Sequence, residues 1–296
     1  MPRTILDVSK WQGSIDWDKV KASGLVSGVM IRAMGNSKEG NPSKPYIDPF
    51  FARNYAECTR LGIPVGVYGY FKATTKAQAD KELALFKQAL GGRTFQLPVA
   101  VDIEDKLQDA LSKSALTDIV AHCLSVVESW GVYAMLYTGL YFGQDNLYMG
   151  GAALKPYDVW LAAYRSQKPA PGWAFGMWQY TSSGKIPGIA KGADLSVAYK
   201  DYAGIIQRAG LGQVRGVRTM ETILAAVITG GVTLIGVLIA NGKTQAVTET
   251  KLEELTREVR LHNNFAQRVP VIEEQLKVAN HRIADLEEHE YERERN

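Results

Sequence analysis

Hydrophobic and polar residues follow two different patterns along the first 208 residues. Short apolar runs rich in β-branched residues alternate with longer segments in which apolar residues recur every three or four positions. The short runs predict buried strands, and the longer segments predict amphipathic helices. The predicted strands are residues 5–8, 28–32, 65–71, 99–103, 133–137, 159–163, 176–180 and 193–197. The predicted helices are residues 49–61, 75–90, 112–130 and a short one near 140–147.

The order of these elements indicates an α/β fold. Strands that alternate with helices predict a parallel sheet with crossover helices. About 200 residues with eight predicted strands is short for a complete (β/α)8 barrel. No helix is predicted between the last three strands. We therefore expect residues 1–208 to form an irregular (β/α) barrel with an incomplete helical ring, followed by a linker at 209–220.

A charge-free run follows the linker. Residues 222–242 contain no charged residue and are rich in Ile, Val, Leu and Ala, and about 20 apolar residues are enough to cross a bilayer as a helix. We predict a single transmembrane helix at residues 221–242, with a buried core helix as the alternative. Asp7 and Lys10 interrupt any apolar stretch at the start of the chain, so no cleavable signal peptide is expected. The span predicts a membrane-associated protein.

Residues 243–296 form a third pattern. Within 248–293, apolar residues recur at a spacing near 3.5 between glutamates and arginines, which is typical of a coiled coil. Pro270 and the out-of-phase residues 261–265 predict two helical pieces or one kinked helix. This charged coiled-coil-like helix would permit a homo-oligomer, whereas a lone solvated amphipathic helix is the alternative.

Composition and charge exclude several classes of protein. The chain is 46% hydrophobic and 22% charged, which excludes a disordered chain. Residues 1–218 hold 25 Lys and Arg against 18 Asp and Glu, and the remainder holds 9 against 13, so the two regions differ in charge. The chain contains no run of Lys and Arg residues, so nucleic-acid binding is not expected. Cys58 and Cys123 are too few for a disulfide scaffold. His122 is the only histidine before residue 262, which argues against a catalytic triad or a histidine-bound metal.

The acids of the barrel region fall at predicted strand ends. Asp102 and Glu104 close the fourth strand with one residue between them, and side chains at such positions of a strand point the same way. Two carboxylates that share a concave site repel each other, so one retains its proton near neutral pH. A protonated acid beside an ionised one is what glycosidic bond cleavage requires. The alternative is a surface loop after a strand.

Aromatic residues also cluster near these strand ends. Aromatic faces stack on the apolar faces of sugar rings, while Tyr and Trp supply polar groups. The alternative is core packing, which we expect for Trp160. The aromatic residues in question are Trp11, Tyr68, Tyr70, Phe71, Tyr137, Trp160, Tyr164, Trp178 and Tyr180.

Seven motifs in this region resemble those of the glycoside hydrolase family 25 lysozymes, the phage endolysin type of N-acetylmuramidase, and they occur in the family's order over about residues 1–208. The motifs are DVSKWQG at 7–13, GVYGYF at 66–71, VDIE at 101–104, YT at 137–138, WLAAY at 160–164, MWQY at 177–180 and ADLS at 193–196. The resemblance implies an incomplete β/α barrel without metal or organic cofactor. It also implies hydrolysis of the β-1,4 bond between N-acetylmuramic acid and N-acetylglucosamine in bacterial peptidoglycan.

Roles follow from the resemblance by position. Glu104 would be the general acid, and Asp102 would either orient the 2-acetamido group of the substrate or stabilise the oxocarbenium-like state. Asp7 and Asp194 would complete the acidic floor of the cleft, although Asp-Leu-Ser departs from the usual sequence after Asp194. The residues expected to contact the substrate are Tyr68, Tyr70, Phe71, Tyr137, Tyr164, Trp178 and Gln179.

The C-terminal region departs from this family. It loosely resembles small phage holin-like membrane proteins, with one span and a charged helix. Two hypotheses follow: a membrane-tethered muramidase, or an endolysin–holin-like fusion whose tail acts in the membrane and is also made from an internal start at Met220. An inactive wall-binding barrel is a third.

Overall fold

The computed structural model describes residues 3–215 and Leu255. Within them the strands are β1 Arg3–Val8, β2 Gly28–Gly35, β3 Tyr46–Ile47, β4 Val65–Phe71, β5 Val99–Ile103, β6 Ala134–Gly139, β7 Asp158–Ala162, β8 Met177–Gly184 and β9 Ala193–Ala198. The helices are α1 Trp17–Ala22, α2 Phe51–Arg60, α3 Lys76–Leu90, α4 Lys113–Ser129, α5 Leu140–Asn146 and α6 Tyr202–Arg208. Two 3-10 helices lie at Lys10–Gln12 and Lys106–Ala110.

Eight of the strands close into a barrel. They are ordered β1-β9-β8-β7-β6-β5-β4-β2, and a β1–β2 pairing closes the ring, while the two-residue β3 extends β2 as a short edge. No α-helix follows β7 or β8 in the described residues. The expected irregular barrel with an incomplete helical ring is therefore confirmed.

The last strand corrects the prediction of a parallel sheet. Strands β1, β2 and β4 to β8 pair in parallel, but β9 is antiparallel to both β8 and β1. The cause is the connection, because β8 and β9 are joined without a crossover helix and antiparallel strands tolerate such a short link. As a result, the start of β9 lies at the same end of the barrel as the end of β1.

The alternation of side chains along each strand creates two cores. In β4, Val67 and Phe71 pack outward in the core between barrel and helices, whereas Tyr68 faces the smaller core inside the barrel. In β5, Val101 and Ile103 likewise pack outward. Because successive side chains of a strand point to opposite faces, each strand contributes to both cores.

Local signals set the ends of the long helices. The side chain of Thr75 caps α3 by accepting a hydrogen bond from the Gln78 N–H, and Gly91 ends this helix in the left-handed conformation at φ 52°. Ser112 caps α4 in the same way. These boundaries agree with the sequence prediction to within one or two residues.

The elements that the sequence did not predict are short. They are β3, α1 and α6, and α6 closes the end of the barrel opposite the carboxyl ends of the parallel strands. Tyr202 and Ile206 of α6 pack in the inner core with Ile5 and Met30. Helices of six or seven residues offer too few turns for a clear periodic pattern.

The C-terminal predictions fall largely outside the described residues. Part of the predicted linker packs on the barrel, since the Phe95 N–H donates to the Gly212 carbonyl and the Arg215 N–H to the Trp130 carbonyl, both at 2.8 Å. The predicted transmembrane helix at 221–242 lies outside the described residues, as does the coiled-coil region at 243–296 except for Leu255. Among the helices that are described, none has the length and apolar character needed to cross a membrane.

Candidate active site

A cleft of about 270 Å³ opens at the carboxyl end of the parallel strands. Side chains from β1, β2, β4, β5, β6, β7 and β9 reach it, together with the 3-10 helix after β1. The residues that form its surface are Asp7, Ser9, Trp11, Gln12, Arg32, Tyr68, Tyr70, Asp102, Glu104, Tyr137, Trp160, Tyr164 and Asp194.

The four acids predicted at strand ends all meet in this cleft. Asp102 and Glu104 extend from β5 on the same side, because the intervening Ile103 packs outward in the outer core. Asp7 of β1 lies directly opposite Asp194 of β9 in the antiparallel register. The reversal of β9 therefore brings an acid from the start of one strand beside an acid from the end of another.

Glu104 has the electrostatics of a proton donor. It lines the cleft, and its side chain is exposed to solvent there. Partial desolvation of the carboxyl group within the cleft, with the negative charges of Glu39, Asp194 and Asp105, raises its pKa to about 7. A carboxyl group with this pKa holds its proton in a large fraction of molecules near neutral pH.

Asp102 and Asp7 lie deeper in the cleft. Burial raises the pKa of each, helped by the charge of Glu104 for Asp102 and of Asp194 for Asp7, whereas Arg32 opposes the rise in both. The Oδ1 atoms of Asp7 and Asp102 are buried and accept no hydrogen bond from any described residue. Each of these two acids therefore holds one buried oxygen without a partner among the described residues.

Gln179 connects three residues of the cleft without lining it. Its Oε1 accepts hydrogen bonds from the hydroxyls of Tyr137 at 2.9 Å and Tyr164 at 3.1 Å. Its Nε2 donates to Asp7 Oδ2 at 3.0 Å. Gln179 is only 1% exposed and is not among the residues of the cleft surface, so this geometry does not support the predicted substrate contact; its hydrogen bonds link residues that do line the cleft.

Two further predicted contact residues point away from the cleft. Phe71 is fully buried and packs edge-to-face on Phe86 of α3, with ring centroids 5.6 Å apart. Trp178 donates its indole N–H to the Ala163 carbonyl at 2.8 Å, outside the barrel. Both are corrections with one cause, since each is one residue away from an inward-facing position on its strand.

Most of the remaining aromatic residues line the cleft. Tyr68, Tyr70, Tyr137, Tyr164 and Trp11 do so as expected, whereas Tyr180 packs against the outer core. Trp160, which we expected to be a core residue, is fully buried but forms part of the cleft surface. Its indole N–H donates a hydrogen bond to Ser196 Oγ at 2.9 Å. Its ring packs edge-to-face with Tyr137, with ring centroids 4.6 Å apart.

Arg32 is a cleft residue that the sequence analysis missed. Its Nε donates to Asp48 Oδ2 at 2.8 Å, and Asp48 is almost completely buried. The sequence did contain a signal for it, because Arg32 is a single charged residue inside the apolar strand β2. A charged residue in such a strand is buried only when it has a partner, which indicates a polar site. Its positive charge offsets part of the repulsion among the four acids.

This arrangement suits acid-assisted cleavage of a bond between sugars. It combines an acid that titrates near neutral pH, buried carboxylates that can support positive charge, and aromatic walls that can stack on sugar rings. Among residues 3–215, no group of three or more His, Cys, Asp or Glu side chains is placed to hold a metal ion.

Comparisons with known proteins agree with this chemistry. The model of Glycosyl hydrolases family 25 matches residues 6–189. Uncharacterized protein YegX of Escherichia coli K12 is 30% identical over 195 residues, which cover 65% of this chain and 68% of that protein. The Autolytic lysozyme of Clostridium acetobutylicum is 28% identical over 190 residues, which cover 64% of this chain and 54% of that protein.

A solved structure shares the fold. The crystal structure of the Clostridium perfringens spore cortex lytic enzyme SleM is similar with a TM-score of 0.56 and 26% sequence identity, covering 67% of each chain. The family match ends before β9, so the position of Asp194 in the cleft is established by the structure alone.

Proposed function

The chain belongs to Glycosyl hydrolases family 25 and is a glycoside hydrolase, and on that basis we propose that it is a lysozyme that degrades bacterial peptidoglycan. The bond cleaved is the β-1,4 bond between N-acetylmuramic acid and N-acetylglucosamine. The similarity to the Autolytic lysozyme of C. acetobutylicum supports this substrate class. An inactive wall-binding barrel is disfavoured because all four acids meet in one open cleft.

The observation that carries the proposal is the pair of acids at the end of β5. Glu104 protonates the oxygen of the leaving sugar, since its pKa of about 7 keeps a proton available near neutral pH. Asp102 stabilises the positive charge that develops at the neighbouring sugar carbon, either directly or by orienting the 2-acetamido group of that sugar. Its position in the cleft beside Glu104 supports both possibilities.

Analysis of the products formed from purified cell walls tests this function. The full chain should generate new reducing ends without new free amines, and muramic acid should be at those ends. Glu104→Gln should abolish their formation, whereas Glu57→Gln, a change at a half-exposed position of α2 beside Arg60, should not. New free amines would indicate an amidase or peptidase, and N-acetylglucosamine at the new ends would indicate a glucosaminidase.

Residues 221–242 provide the basis for a second part of the proposal, membrane attachment of the enzyme. The charge-free run at 222–242 supports a membrane helix, and the heptad-like spacing at 248–293 supports oligomerisation beside it. The double substitution Val232→Arg and Ile235→Arg should move the full chain from the membrane fraction to the soluble fraction. Unchanged fractionation would contradict attachment through this segment.

An endolysin–holin-like fusion is the competing hypothesis for the tail. It is favoured by the position of Met220 directly before the charge-free run, where a second protein could start. Expressing cells would then contain a product the size of residues 220–296, and Met220→Leu would remove it. If only the full-length product is found, the tethered enzyme is the better account.

A further inference from the structure

The loop between β2 and β3, residues 36–44, rests on a buried carboxylate. Glu82 of α3 is 1% exposed, and its Oε1 accepts hydrogen bonds from Asn36 Nδ2 at 2.9 Å and from the Ser43 hydroxyl. Asn36 Oδ1 in turn accepts from the Lys44 N–H at 2.7 Å. Both ends of the loop are therefore fixed to the same point on α3.

The middle of the loop is held by a buried ammonium group. Lys72 follows β4, and its Nζ donates to the carbonyls of Lys38 at 2.8 Å and Asn41 at 2.6 Å. The same Nζ lies 3.2 Å from Asp105 Oδ2, and the side chains of both residues are fully buried. The Gly40 N–H also donates to Asp105 Oδ1 at 3.3 Å. The loop is thus fastened to the residue that directly follows Glu104.

Asp105 also holds part of the cleft wall. Its Oδ2 accepts a hydrogen bond from the hydroxyl of Tyr70 at 2.7 Å, and Tyr70 lines the cleft. Its Oδ1 accepts from the Leu107 N–H at 2.9 Å and so begins the 3-10 helix after Glu104. One carboxylate therefore joins the loop, a cleft tyrosine and the segment that carries the acid. Because buried ion pairs add little net stability, this placement indicates a positional role for the pair.

Glu39 occupies the exposed part of the loop. The residues on either side of it, Lys38 and Gly40, are the ones whose backbone groups are fastened. Glu39 Oε1 lies 3.6 Å from Nζ of Lys106, two residues after Glu104. The loop therefore presents a carboxylate to the segment 104–106, and the negative charge of Glu39 contributes to the raised pKa of Glu104.

We propose that the 36–44 loop is a positioning element for the general acid: the Lys72–Asp105 pair fastens the loop to the segment carrying Glu104 and holds Glu39 near that acid. The proposal rests on the glycosidase function proposed above. Glu39 then favours the protonated form of Glu104 and extends activity to higher pH. The other titratable and charged groups around Glu104 are Asp7, Arg32, Tyr68, Tyr70, Asp102, Asp105, Lys106, Tyr137, Tyr164 and Asp194.

The first test is the pH dependence of kcat/KM for Glu39→Gln in the full chain. An acid catalyst loses activity as the pH rises through its pKa. Removing a nearby negative charge lowers that pKa. The high-pH limb of the profile, where kcat/KM falls, should therefore move to lower pH by about half a pH unit. The matched control Glu57→Gln removes one half-exposed negative charge on α2, and its high-pH limb should stay at the wild-type position. An unchanged limb in Glu39→Gln would overturn the proposal.

The second test concerns the fastening pair. The double variant Lys72→Met and Asp105→Asn removes the buried ion pair without leaving a single buried charge. Because Asp105 itself contributes to the raised pKa of Glu104, the deciding quantity is the further shift that Glu39→Gln causes in this double variant. That shift should be much smaller than the one Glu39→Gln causes in the wild type, because Glu39 is then no longer held near Glu104. A lower melting temperature with the full Glu39→Gln shift retained would show that the pair is only structural.

Each failure has its own signature. If wild-type enzyme releases no reducing ends, or Glu104→Gln still does, the proposed function fails. If the wild-type enzyme is a glycosidase that depends on Glu104 but Glu39→Gln leaves its limb unmoved, only the positioning role fails. If the double variant does not fold, the single substitution of the exposed Glu39 still decides between the two outcomes.

Discussion

Asp7 and Asp194 face each other directly across the β1–β9 ladder, so two carboxylates enter the cleft from paired positions of antiparallel strands. Directly opposed residues in such a ladder have Cα atoms only about 4.5–5.5 Å apart. Burial and the charge of Asp194 raise the pKa of Asp7, and burial raises the pKa of Asp194. A carboxyl group whose pKa is raised by folding destabilises the folded protein once the pH is high enough to ionise it.

Asp194→Asn should therefore stabilise the protein at neutral pH while reducing its activity. Removing this charge relieves the cost of burying it beside Asp7, about 1 kcal/mol, equivalent to a rise of about 2–4 °C in melting temperature at pH 7. The gain should disappear as the pH falls through the folded-state pKa, because both carboxyl groups are then protonated in the wild type. Thermal unfolding between pH 3 and pH 8 measures this dependence.

Asp201→Asn provides a control in which the change in melting temperature at neutral pH should have the opposite sign. Hydrogen bonds from Arg3 and from the Gly204 N–H lower the pKa of this exposed aspartate, so its ionised form favours folding above its unfolded pKa. Asn at this position should lower the melting temperature at neutral pH and have no effect in acid. If Asp194→Asn instead destabilises the protein at pH 7, the two cleft carboxylates are not repelling each other.

The barrel could be predicted from the sequence because its strands are apolar on both faces. A run such as 99–103 contributes to the cores inside and outside the barrel, and this continuous burial marks a strand without further information. The direction of β9 could not be predicted, because residues 193–197 have the same pattern in either direction. The short connection to β8 favours the antiparallel direction, and the pairing with β1, which joins Asp194 to the distant Asp7, fixes it in the barrel.

The site could be predicted only for residues whose spacing along one strand fixes the face that they share. Asp102 and Glu104 share a face because they are two residues apart, and the same rule would have placed Phe71 outward opposite Tyr70. Gln179 and Arg32 were harder, since their roles depend on Tyr164 and on Asp48, which other elements bring within hydrogen-bond distance.

The wild-type enzyme should lose activity as the medium becomes alkaline. Glu104 must carry a proton to act as general acid, and its pKa of about 7 places the midpoint of the loss near that pH. Above the midpoint, kcat/KM should fall about tenfold per pH unit. Initial rates on a soluble wall oligosaccharide from pH 4 to pH 9 measure the limb, and undiminished activity at pH 9 would exclude Glu104 as the proton donor.

Gln179→Met should reduce activity although Gln179 does not line the cleft. The variant keeps a side chain of similar length but removes the acceptor for Tyr137 and the donor to Asp7. With these residues less well oriented, kcat/KM should fall by about tenfold to a hundredfold. Gln144→Met, an exposed glutamine of α5, should retain full activity, and equal activity of the two variants would count against the orienting role.

Trp11 should act as a stacking surface for the glycan chain. It lines the cleft and is 64% exposed, so its ring is open to a glycan bound there. Loss of a sugar–aromatic contact worth about 1 kcal/mol should raise KM about fivefold in Trp11→Ala, with kcat little changed because the contact forms before the chemical step. Tyr148→Ala removes a comparably exposed aromatic residue, 53% exposed, that does not line the cleft, and its KM should be unaltered. Michaelis kinetics on wall oligosaccharides compare the two variants, and their melting temperatures confirm that both are folded. An unchanged KM in Trp11→Ala would show that Trp11 is not part of the substrate-binding surface.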